Sequence, residues 1–409
     1  MRRILVLIGF ILIGTASADD PFSSLAKRFN REITVQLFEG LEGTIGVRGY
    51  GVIECYRGTK IAETFYITGN VKFRHRQNGI EIDDANGNLA IGLAGFKCTP
   101  RYDSSFVTCN GRAYRGYLKC RFLDLPMGVQ VLNMVDMEDY LKGVLPAEIG
   151  DRIPEEYEAV KAQAVAARTY AVWKLTDKTT TGLLSPTVAD QVYSGLDSEK
   201  EFLSMGVDET CGELMIYKGS PIAAYYHAVC GGRTAPVENI WPEKQNQPYL
   251  EAADDRDFCS WAKTYSWTEV LSIDWLKAAF EKYYVAKNLA GPGTFNQILD
   301  IKFMADNKIG RIKTMIIKTP HGDISESSDR IRWALGRPSS PGAILPSTKF
   351  NAFKEMQNGR IYSLRIVGLG NGHGVGMCQC GAIGRSRAGK KYDEILKYYY
   401  KRIKLAKLY

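Results

Sequence analysis

An alanine-rich stretch at residues 154–175 constrains the fold of this chain more than any other part of the sequence. Pro154 suits the first position of a helix, and Glu155 and Glu156 suit its first turn, where the helix dipole favours negative charge. Small side chains then recur along one face, and they let another backbone pack closely against it. They are Ala162, Ala166, Ala167 and Ala171. The sequence therefore predicts a long helix in the central part of the fold.

A single carboxylate, Glu148, lies between an apolar segment and this predicted helix. Because helix formation is disfavoured just before Pro146, we expect Glu148 to begin a new local structure and not to lie inside a helix. An acid between apolar elements tends to have a raised pKa, which a general acid needs near neutral pH. The alternatives, a surface carboxylate or a helix cap, fit this apolar context less well.

The residues before this region are typical of an antiparallel sheet. Between residues 33 and 132, β-branched and aromatic residues mix with polar ones, and clusters of Gly, Asn and Asp separate the runs. We predict an α+β fold, with a β-rich N-terminal domain at residues 19–110 and a catalytic region around the alanine-rich helix at residues 111–409.

Later segments predict further elements of both kinds. Residues 213–229 predict a hairpin, and residues 267–289 predict a second helix because Trp275, Leu276, Phe280 and Tyr284 have helical spacing. Residues 298–324 alternate as strands do.

The first 18 residues have the pattern of a secretory signal peptide. Arg2 and Arg3 precede an apolar run, and Ala-Ser-Ala at 16–18 provides a cleavage site of small residues. The alternative is an uncleaved anchor, but the run is short for a bilayer span of about 20 residues. We expect an exported protein, in the periplasm or cell envelope.

The chain has a mild basic excess, with 53 Lys and Arg against 45 Asp and Glu. Export argues against a nucleic-acid partner, so an anionic polymer of the envelope or a membrane surface fits this charge better. The excess can equally serve solubility alone.

Three residues are candidate metal ligands. His227 and Cys230 lie in the segment Tyr-His-Ala-Val-Cys-Gly-Gly, and Cys259 follows it in the chain. Nine cysteines in an exported chain favour disulfides, and we prefer a Cys230–Cys259 disulfide here. The same nitrogen and sulfur ligands would suit zinc. A fourth zinc ligand, such as Cys211, is not identifiable from the sequence.

A glycine-rich segment at residues 368–382 contains His373 and Gln379. Glycine at this density permits unusual backbone dihedral angles and the close approach of a ligand. Both side chains can hydrogen-bond a sugar. The alternative is a tight turn in a core, with His373 satisfied internally.

Polar residues in and after the alanine-rich helix are further candidates for a binding cleft. Arg168 interrupts the apolar helix, and a buried charge needs a partner, so a structural ion pair is the alternative for it. Gln163 and Tyr170 could line the same cleft. Tyr193 could stack on a carbohydrate, although an exposed loop tyrosine is ordinary.

Together these segments resemble the SpoIID/LytB family of cell-wall proteins, from about residue 110 to 400. The motifs that carry the resemblance follow in the family's order. They are Tyr-Arg-Gly at 114–116, Asn-Met-Val-Asp-Met-Glu-Asp-Tyr-Leu-Lys-Gly-Val at 133–144, Leu-Pro-Ala-Glu at 145–148, Val-Lys-Ala-Gln-Ala-Val-Ala-Ala-Arg-Thr-Tyr-Ala at 160–171, Asp-Gln-Val-Tyr at 190–193 and Gly-His-Gly-Val-Gly-Met at 372–377.

The resemblance implies a protein that acts on peptidoglycan. The family's lytic transglycosylases cleave glycan strands between MurNAc and GlcNAc, preferring strands stripped of stem peptides. Their acid maps onto Glu148, and one carboxylate suffices because the sugar's own C6 hydroxyl closes a 1,6-anhydro ring. This accounts for the lack of a convincing second carboxylate near Glu148. No cofactor is required, although some members carry zinc.

Departures from the family keep other functions open. Cys378 and Cys380 stand where the family usually has Ser and Tyr. Water in place of the C6 hydroxyl would make the protein a hydrolytic muramidase. Some relatives are amidase enhancers, so the chain could instead hold glycan and stimulate an N-acetylmuramoyl-L-alanine amidase. A metal amidase using His227, Cys230 and His373 is the remaining alternative.

Overall fold

A computed structural model describes residues 21–84, 87–177, 182–244 and 246–409 of the protein. The predicted signal peptide at residues 1–18 lies outside the described residues. None of the helices within these ranges is long and apolar enough to cross a lipid bilayer.

Two six-stranded antiparallel sheets form the N-terminal part of the structure. The elements are α1 (Pro21–Arg28), β1 (Glu32–Gly40), β2 (Glu42–Arg48), β3 (Gly51–Arg57), β4 (Lys60–Ile67), β5 (Asn70–Arg76), β6 (Gly79–Asp84), β7 (Gly87–Leu93), β8 (Gly95–Pro100), β9 (Phe106–Cys109), β10 (Arg112–Tyr114), β11 (Tyr117–Leu123) and β12 (Gly128–Asp136).

The strand order is β1-β12-β11-β8-β3-β4 in one sheet and β10-β9-β2-β5-β6-β7 in the other. The sheets share one apolar core, and the rings of Phe73 from β5 and Phe96 from β8 meet across it with centroids 6.2 Å apart. The sequence places the boundary of the β-rich domain at residue 110. In the structure, the last strand of these sheets, β12, ends later, at Asp136.

A mainly helical part follows and continues the same core. Its elements are α2 (Met137–Ile149), a 3₁₀ turn at Pro154–Glu156, α3 (Tyr157–Thr176), a 3₁₀ turn at Leu196–Ser198, α4 (Glu201–Glu209), β13 (Glu213–Tyr217), β14 (Ser220–Pro221), β15 (Tyr226–His227), α5 (Val237–Ile240) and α6 (Arg256–Cys259). The alanine-rich helix α3 is buried over most of its length, as its small side chains predict. The observed mixture of helices and antiparallel sheets confirms the α+β class.

Residues 266–369 build a second apolar core. They form β16 (Ser266–Ser272), α7 (Ile273–Phe280), a π-helical turn (Glu281–Val285), β17 (Asp300–Asp306), β18 (Arg311–Thr319), β19 (Gly322–Ser327), α8 (Arg330–Leu335), β20 (Phe350–Gln357) and β21 (Arg360–Leu369). The chain then returns to the first core with β22 (Met377–Cys378), α9 (Gln379–Arg387), α10 (Tyr392–Tyr399) and β23 (Lys404–Lys407).

The helix predicted at residues 267–289 begins later than expected. Residues 266–272 form β16 and pair with β21, almost a hundred positions along the chain. The helical spacing of Trp275, Leu276 and Phe280 belongs to α7 alone. Pairing with a distant strand, and not the local spacing, thus decides the structure of the first six residues of the predicted helix.

Arg168 does not line a cleft, so its prediction as a glycan-binding residue is wrong. The side chain is fully buried, and its guanidinium forms a two-point ion pair with Glu138 of α2 at 2.9 and 2.6 Å. Gly212 N–H and the hydroxyl of Tyr409 also donate to Glu138 Oε1. The ion pair therefore joins α2 and α3 to Tyr409.

We expect Arg168→Met or Glu138→Gln to destabilise the fold by about 3–5 kcal/mol, because each leaves one buried charge unpaired. The double variant Glu138→Leu/Arg168→Met should recover part of that loss, since no unpaired charge remains. The measurement is the free energy of unfolding in urea. Lys397→Ala, which removes the exposed pair with Asp393, serves as the control and should cost no more than about 0.5 kcal/mol. Single variants no worse than this control would contradict the structural role of the buried pair.

Candidate active site

A cleft of about 1390 Å³ lies where the end of α2, one face of α3, the segment around β15 and the glycine-rich segment meet. Its walls are rich in aromatic rings, at Tyr170, Trp173, Tyr225, Tyr226, Trp241, Tyr249 and Trp333. Tyr225 is central among them, with ring centroids 5.8 Å from Trp173 and 5.0 Å from Trp241. Flat apolar surfaces edged by polar groups suit a sugar-containing ligand.

Glu148 lines this cleft from the last turn of α2. The expectation that it begins a new local structure is wrong, because α2 continues through Pro146 to Ile149. Proline costs the helix one backbone hydrogen bond, and burial of Val144 and Leu145 holds the helix together around it. Gly150 caps the end of the helix, with a φ of 71° that favours glycine.

The Glu148 carboxylate accepts hydrogen bonds from three directions. Val192 N–H donates to Oε1 at 3.0 Å, and Gln379 Nε2 lies 3.5 Å from Oε2. The hydroxyl of Tyr226 donates as well. Burial raises the pKa of Glu148, and these three donors oppose the rise in part. No cation of the described residues forms an ion pair with Glu148, so it has the environment that a general acid requires.

Gln379 and Gln163 lie beside Glu148 but below the cleft surface. Both are buried, and Gln379 Nε2 also lies 3.4 Å from Gln163 Oε1. Neither residue is among those that line the cleft. The structure therefore places Gln379 against the Glu148 carboxylate and Gln163 behind Gln379.

Tyr170 lines the cleft. Its hydroxyl donates to Asp190 Oδ1 at 3.0 Å, and Lys174 Nζ lies 2.9 Å from the same oxygen. Ser185 N–H donates to Asp190 Oδ2. Both carboxylate oxygens of Asp190, on the cleft wall, thus already have partners within the protein.

His373 also lines the cleft, but both of its ring nitrogens are engaged within the protein. Val375 N–H donates to Nδ1 at 3.0 Å, so the proton of the neutral ring is on Nε2, which donates to Tyr226 C=O at 2.9 Å. Burial lowers the pKa of His373 to about 4. The ring therefore offers a flat face beside Trp241 and no free hydrogen-bonding atom.

Tyr193 is buried and does not reach the cleft, so its prediction as a carbohydrate-stacking residue is wrong. Its ring packs between Tyr114 and Tyr140, with centroids 5.5 and 4.9 Å away, and its hydroxyl donates to Asn133. The loop that carries it folds inward against α2, where only the missing side chain of Gly143 leaves room for the ring.

The predicted metal residues separate into two groups. Cys230 and Cys259 join Asp255 and Cys378 in a buried cluster, with ligand atoms within 4.8 Å of one another. His227 is not part of it. The expected Cys230–Cys259 disulfide is not present, since the two Sγ atoms lie 3.5 Å apart as free thiols. The set His227, Cys230 and His373 therefore does not form one metal site in this structure.

His227 instead borders the cleft. Its Nδ1 donates to Val375 C=O at 3.1 Å, so the lone pair of the neutral ring is on Nε2. Nε2 is buried and has no hydrogen-bond partner among the described residues. Burial holds the pKa of His227 well below its usual value, which keeps Nε2 an acceptor.

Several residues of the site are absent from the sequence-based predictions. Tyr226 and Val192 hold the carboxylate, while Trp173, Trp241 and Lys244 line the cleft. Val192 and Tyr226 are adjacent to predicted candidates, Tyr193 and His227, and that adjacency was the available signal. Trp241 and Lys244 have no local pattern that distinguishes them from other surface residues.

Comparison with known proteins gives two matching family models. One, described as Stage II sporulation protein (SpoIID), matches residues 127–217, which include α2, Glu148 and α3. The other, described as a domain of unknown function (DUF8618), matches residues 254–376, most of which form the second core.

Three relatives extend these matches. The chain is 38% identical over 296 residues to an uncharacterized protein of Brachyspira hyodysenteriae, covering 72% of each. It is 29% identical over 384 residues to a Bacillus subtilis protein named amidase enhancer, covering 83% of this chain but only half of that protein. It is 26% identical over 287 residues to stage II sporulation protein D of Bacillus subtilis, covering 66% of this chain and 74% of that protein.

The raised pKa of Glu148 predicts a pH-dependent stability. Below the ordinary glutamate pKa of about 4, both the folded and the unfolded chain hold the proton. As pH rises from there through the raised folded pKa, the wild type loses stability, because its folded state gives up the proton less readily. Glu148→Gln should therefore unfold at a higher temperature than the wild type at pH 7, with no difference near pH 3.

The measurement is the midpoint of thermal unfolding across this pH range. Glu155→Gln, which changes an exposed carboxylate seven positions away, is the control and should show no such difference. A Glu148→Gln variant less stable than the wild type at pH 7 would mean that the ionised carboxylate is stabilised in the folded state.

Proposed function

The chain belongs to the SpoIID family, and we propose that it cleaves the glycan strands of peptidoglycan, with Glu148 as its acid and base. The observation that carries this proposal is the Glu148 carboxyl itself, desolvated at a cleft wall without a cationic partner among the described residues. Such a group holds its proton at a higher pH than ordinary glutamate and can donate it to a glycosidic oxygen.

The reaction that fits a single acid is an intramolecular transglycosylation. Glu148 protonates the bridging oxygen between MurNAc and GlcNAc as the bond from C1 to that oxygen breaks. The Glu148 carboxylate then takes the proton of the C6 hydroxyl of the same MurNAc, and O6 bonds to C1. Glu148 ends protonated, no water is consumed, and the product carries a 1,6-anhydro ring.

Asp190 is a second carboxylate on the cleft wall that could serve as a base. Its contacts, however, favour the route with Glu148 as the single acid. Tyr170, Lys174 and Ser185 N–H occupy its oxygens. A base that activates water needs a free lone pair aimed at the substrate. The hydrolytic muramidase remains the second candidate, because water could replace the C6 hydroxyl at Glu148 without any further residue.

The other cleft residues suit a glycan chain. Trp241 and Tyr225 offer ring faces for sugar stacking, and His227 Nε2 offers an acceptor for a sugar hydroxyl. Lys244 lies over both rings, 4.6 Å from the centroid of Tyr225, and forms no ion pair among the described residues. A strand stripped of stem peptides exposes the lactyl carboxylates of its MurNAc units, and Lys244 supplies a matching cation.

A non-catalytic role is the remaining candidate, and a relative's name favours it. The Bacillus subtilis relative that aligns with 83% of this chain is named amidase enhancer. By that analogy the cleft would hold glycan while an N-acetylmuramoyl-L-alanine amidase acts, at the same location in the cell envelope. The desolvated Glu148 has no purpose in this alternative, and we therefore prefer the enzyme.

We expect Glu148→Gln to lose cleavage of stem-stripped glycan strands by at least about 10²-fold, because the amide cannot donate the required proton. The products are identified by mass spectrometry. Wild type should release fragments with 1,6-anhydro ends, and the exposed variant Glu155→Gln should match it. Reducing ends would identify a muramidase. Binding of the strands without cleavage by the wild type would favour the amidase enhancer.

Lys244→Met should weaken binding of stem-stripped strands by about tenfold, since a charge-assisted hydrogen bond is lost. Binding of chitin oligosaccharides, which have no lactyl carboxylate, should change little. The measurement is the dissociation constant of each ligand with the Glu148→Gln background, so that no cleavage occurs. Lys218→Met, in the turn between β13 and β14, is the control. Equal losses of affinity for both ligands would mean that Lys244 supports the packing of the cleft and does not recognise the carboxylate.

A further inference from the structure

We propose that Cys230, Asp255, Cys259 and Cys378 bind one structural zinc ion. All four side chains are buried, and one potential ligand atom of each lies within 4.8 Å of the others. Three sulfurs and one carboxylate oxygen make a closed four-ligand set of the kind that holds structural zinc, with the carboxylate in the place of the more common histidine or fourth cysteine.

The spacing of the sulfur atoms fits a tetrahedron around one ion. With bonds of about 2.3 Å, tetrahedral zinc places its sulfur ligands about 3.8 Å apart. Cys230 Sγ and Cys259 Sγ are separated by 3.5 Å, and Cys230 Sγ and Asp255 Oδ2 by 3.7 Å. Small movements of the side chains would bring four ligands to one centre.

Backbone N–H groups surround the sulfur atoms. The N–H groups of Cys230 and Gly381 both lie 3.3 Å from Cys378 Sγ. Those of Gly231 and Gly232 donate toward Cys259 Sγ. Donors of this kind stabilise thiolates, the form of cysteine that binds metals, and contribute little to neutral thiols.

Asp255 is fixed in the same manner as an oriented metal ligand. The hydroxyl of Tyr399 donates to Oδ2 at 2.8 Å, and Arg385 lies 3.1 Å from Oδ1. At Gly381, a Cβ atom would lie only 1.7 Å from Oδ2, so α9 can approach this carboxylate only with glycine there. Such outer contacts orient ligand oxygens in metal sites.

The charges around the cluster require an anion at its centre. Arg311 is fully buried; its Nη2 donates to Cys230 C=O, while its Nε and Nη1 have no partner among the described residues. Lys349 Nζ donates to Gly231 C=O, and Arg385 faces Asp255. Three thiolates, one carboxylate and Zn²⁺ sum to about −2, which balances most of this buried positive charge.

A Cys230–Cys259 disulfide explains these contacts less well. It would remove two of the three sulfur charges and leave Cys378 as an isolated thiol with two N–H donors. Arg311 would then face neutral sulfur atoms, and only Asp329 among its named anionic neighbours would still favour the buried cation. Zinc uses all three sulfurs and the carboxylate, with the three thiol protons released to solvent on binding.

The ion would join three segments that are distant in sequence. They are the loop after β15, helix α6 and the start of α9. Cys378 is followed directly by Gln379, which contacts Glu148, so the ion would also hold one donor of the acid in place. This last consequence depends on the proposed function, whereas zinc binding itself does not.

Metal analysis of the intact mature chain tests the proposal. The chain is purified under reducing, oxygen-free conditions from zinc-supplemented cells, and bound metals are quantified by mass spectrometry. We expect one zinc ion per chain. After zinc removal, added Co²⁺ should produce the thiolate charge-transfer and tetrahedral absorption bands of cobalt. A wild-type chain that holds iron or no metal, or that gives no thiolate band with Co²⁺, overturns the proposal.

Variants assign the ligands. Cys378→Ser and Asp255→Asn should each retain less than about a tenth of the wild-type zinc after dialysis, because each loses a direct ligand. Cys380→Ser, two positions along and outside the cluster, should retain all of it. Full zinc content in Cys378→Ser overturns the site. Circular dichroism checks folding, and the cobalt spectrum of the wild type decides the question if a variant does not fold. Cleavage of glycan by the wild type is scored separately, so failure of the proposed function leaves this result unaffected.

Discussion

The ion pair between Arg168 and Glu138 is the interaction on which the arrangement of this molecule depends. Helix α3 is buried over most of its length, so a guanidinium in its middle must find its counter-charge inside the protein. Glu138, in the first turn of α2, supplies it. The pair fixes where α2 begins on α3, and the length of α2 then determines where its last turn, with Glu148, meets the cleft.

Helix α2 thus carries two carboxylates in opposite environments. Glu138 at its start is paired with the Arg168 cation and accepts a hydrogen bond from Tyr409. Glu148 at its end is desolvated, held only by neutral donors, and without a cation among the described residues. Different surroundings give chemically identical groups different roles, one in holding the fold and one suited to proton transfer.

The support of Glu148 comes from parts of the chain that meet only in the folded state. Val192 belongs to the loop after α3, Tyr226 to β15, and Gln379 to the start of α9. The last of these is 231 positions from Glu148 in sequence. The sulfur cluster is linked to this support through the chain, because Cys378 directly precedes Gln379. The orientation of the Glu148 carboxylate therefore depends on how these segments pack against one another.

The sequence alone determined the features that depend on short stretches of residues: the α+β class, the alanine-rich helix, Glu148 as a candidate acid, and the family, through motifs of consecutive residues. Tertiary structure decided the rest, because a side chain's environment depends on partners far along the chain. From the sequence, Arg168 and Tyr193 look like cleft residues. In the folded chain, Arg168 pairs with Glu138 and Tyr193 donates to Asn133. Asp255 and Cys378 show no ligand spacing with Cys230 in sequence, since only folding brings them within 4.8 Å. Local chemistry indicates what a residue can do, and long-range packing determines which of those roles it has.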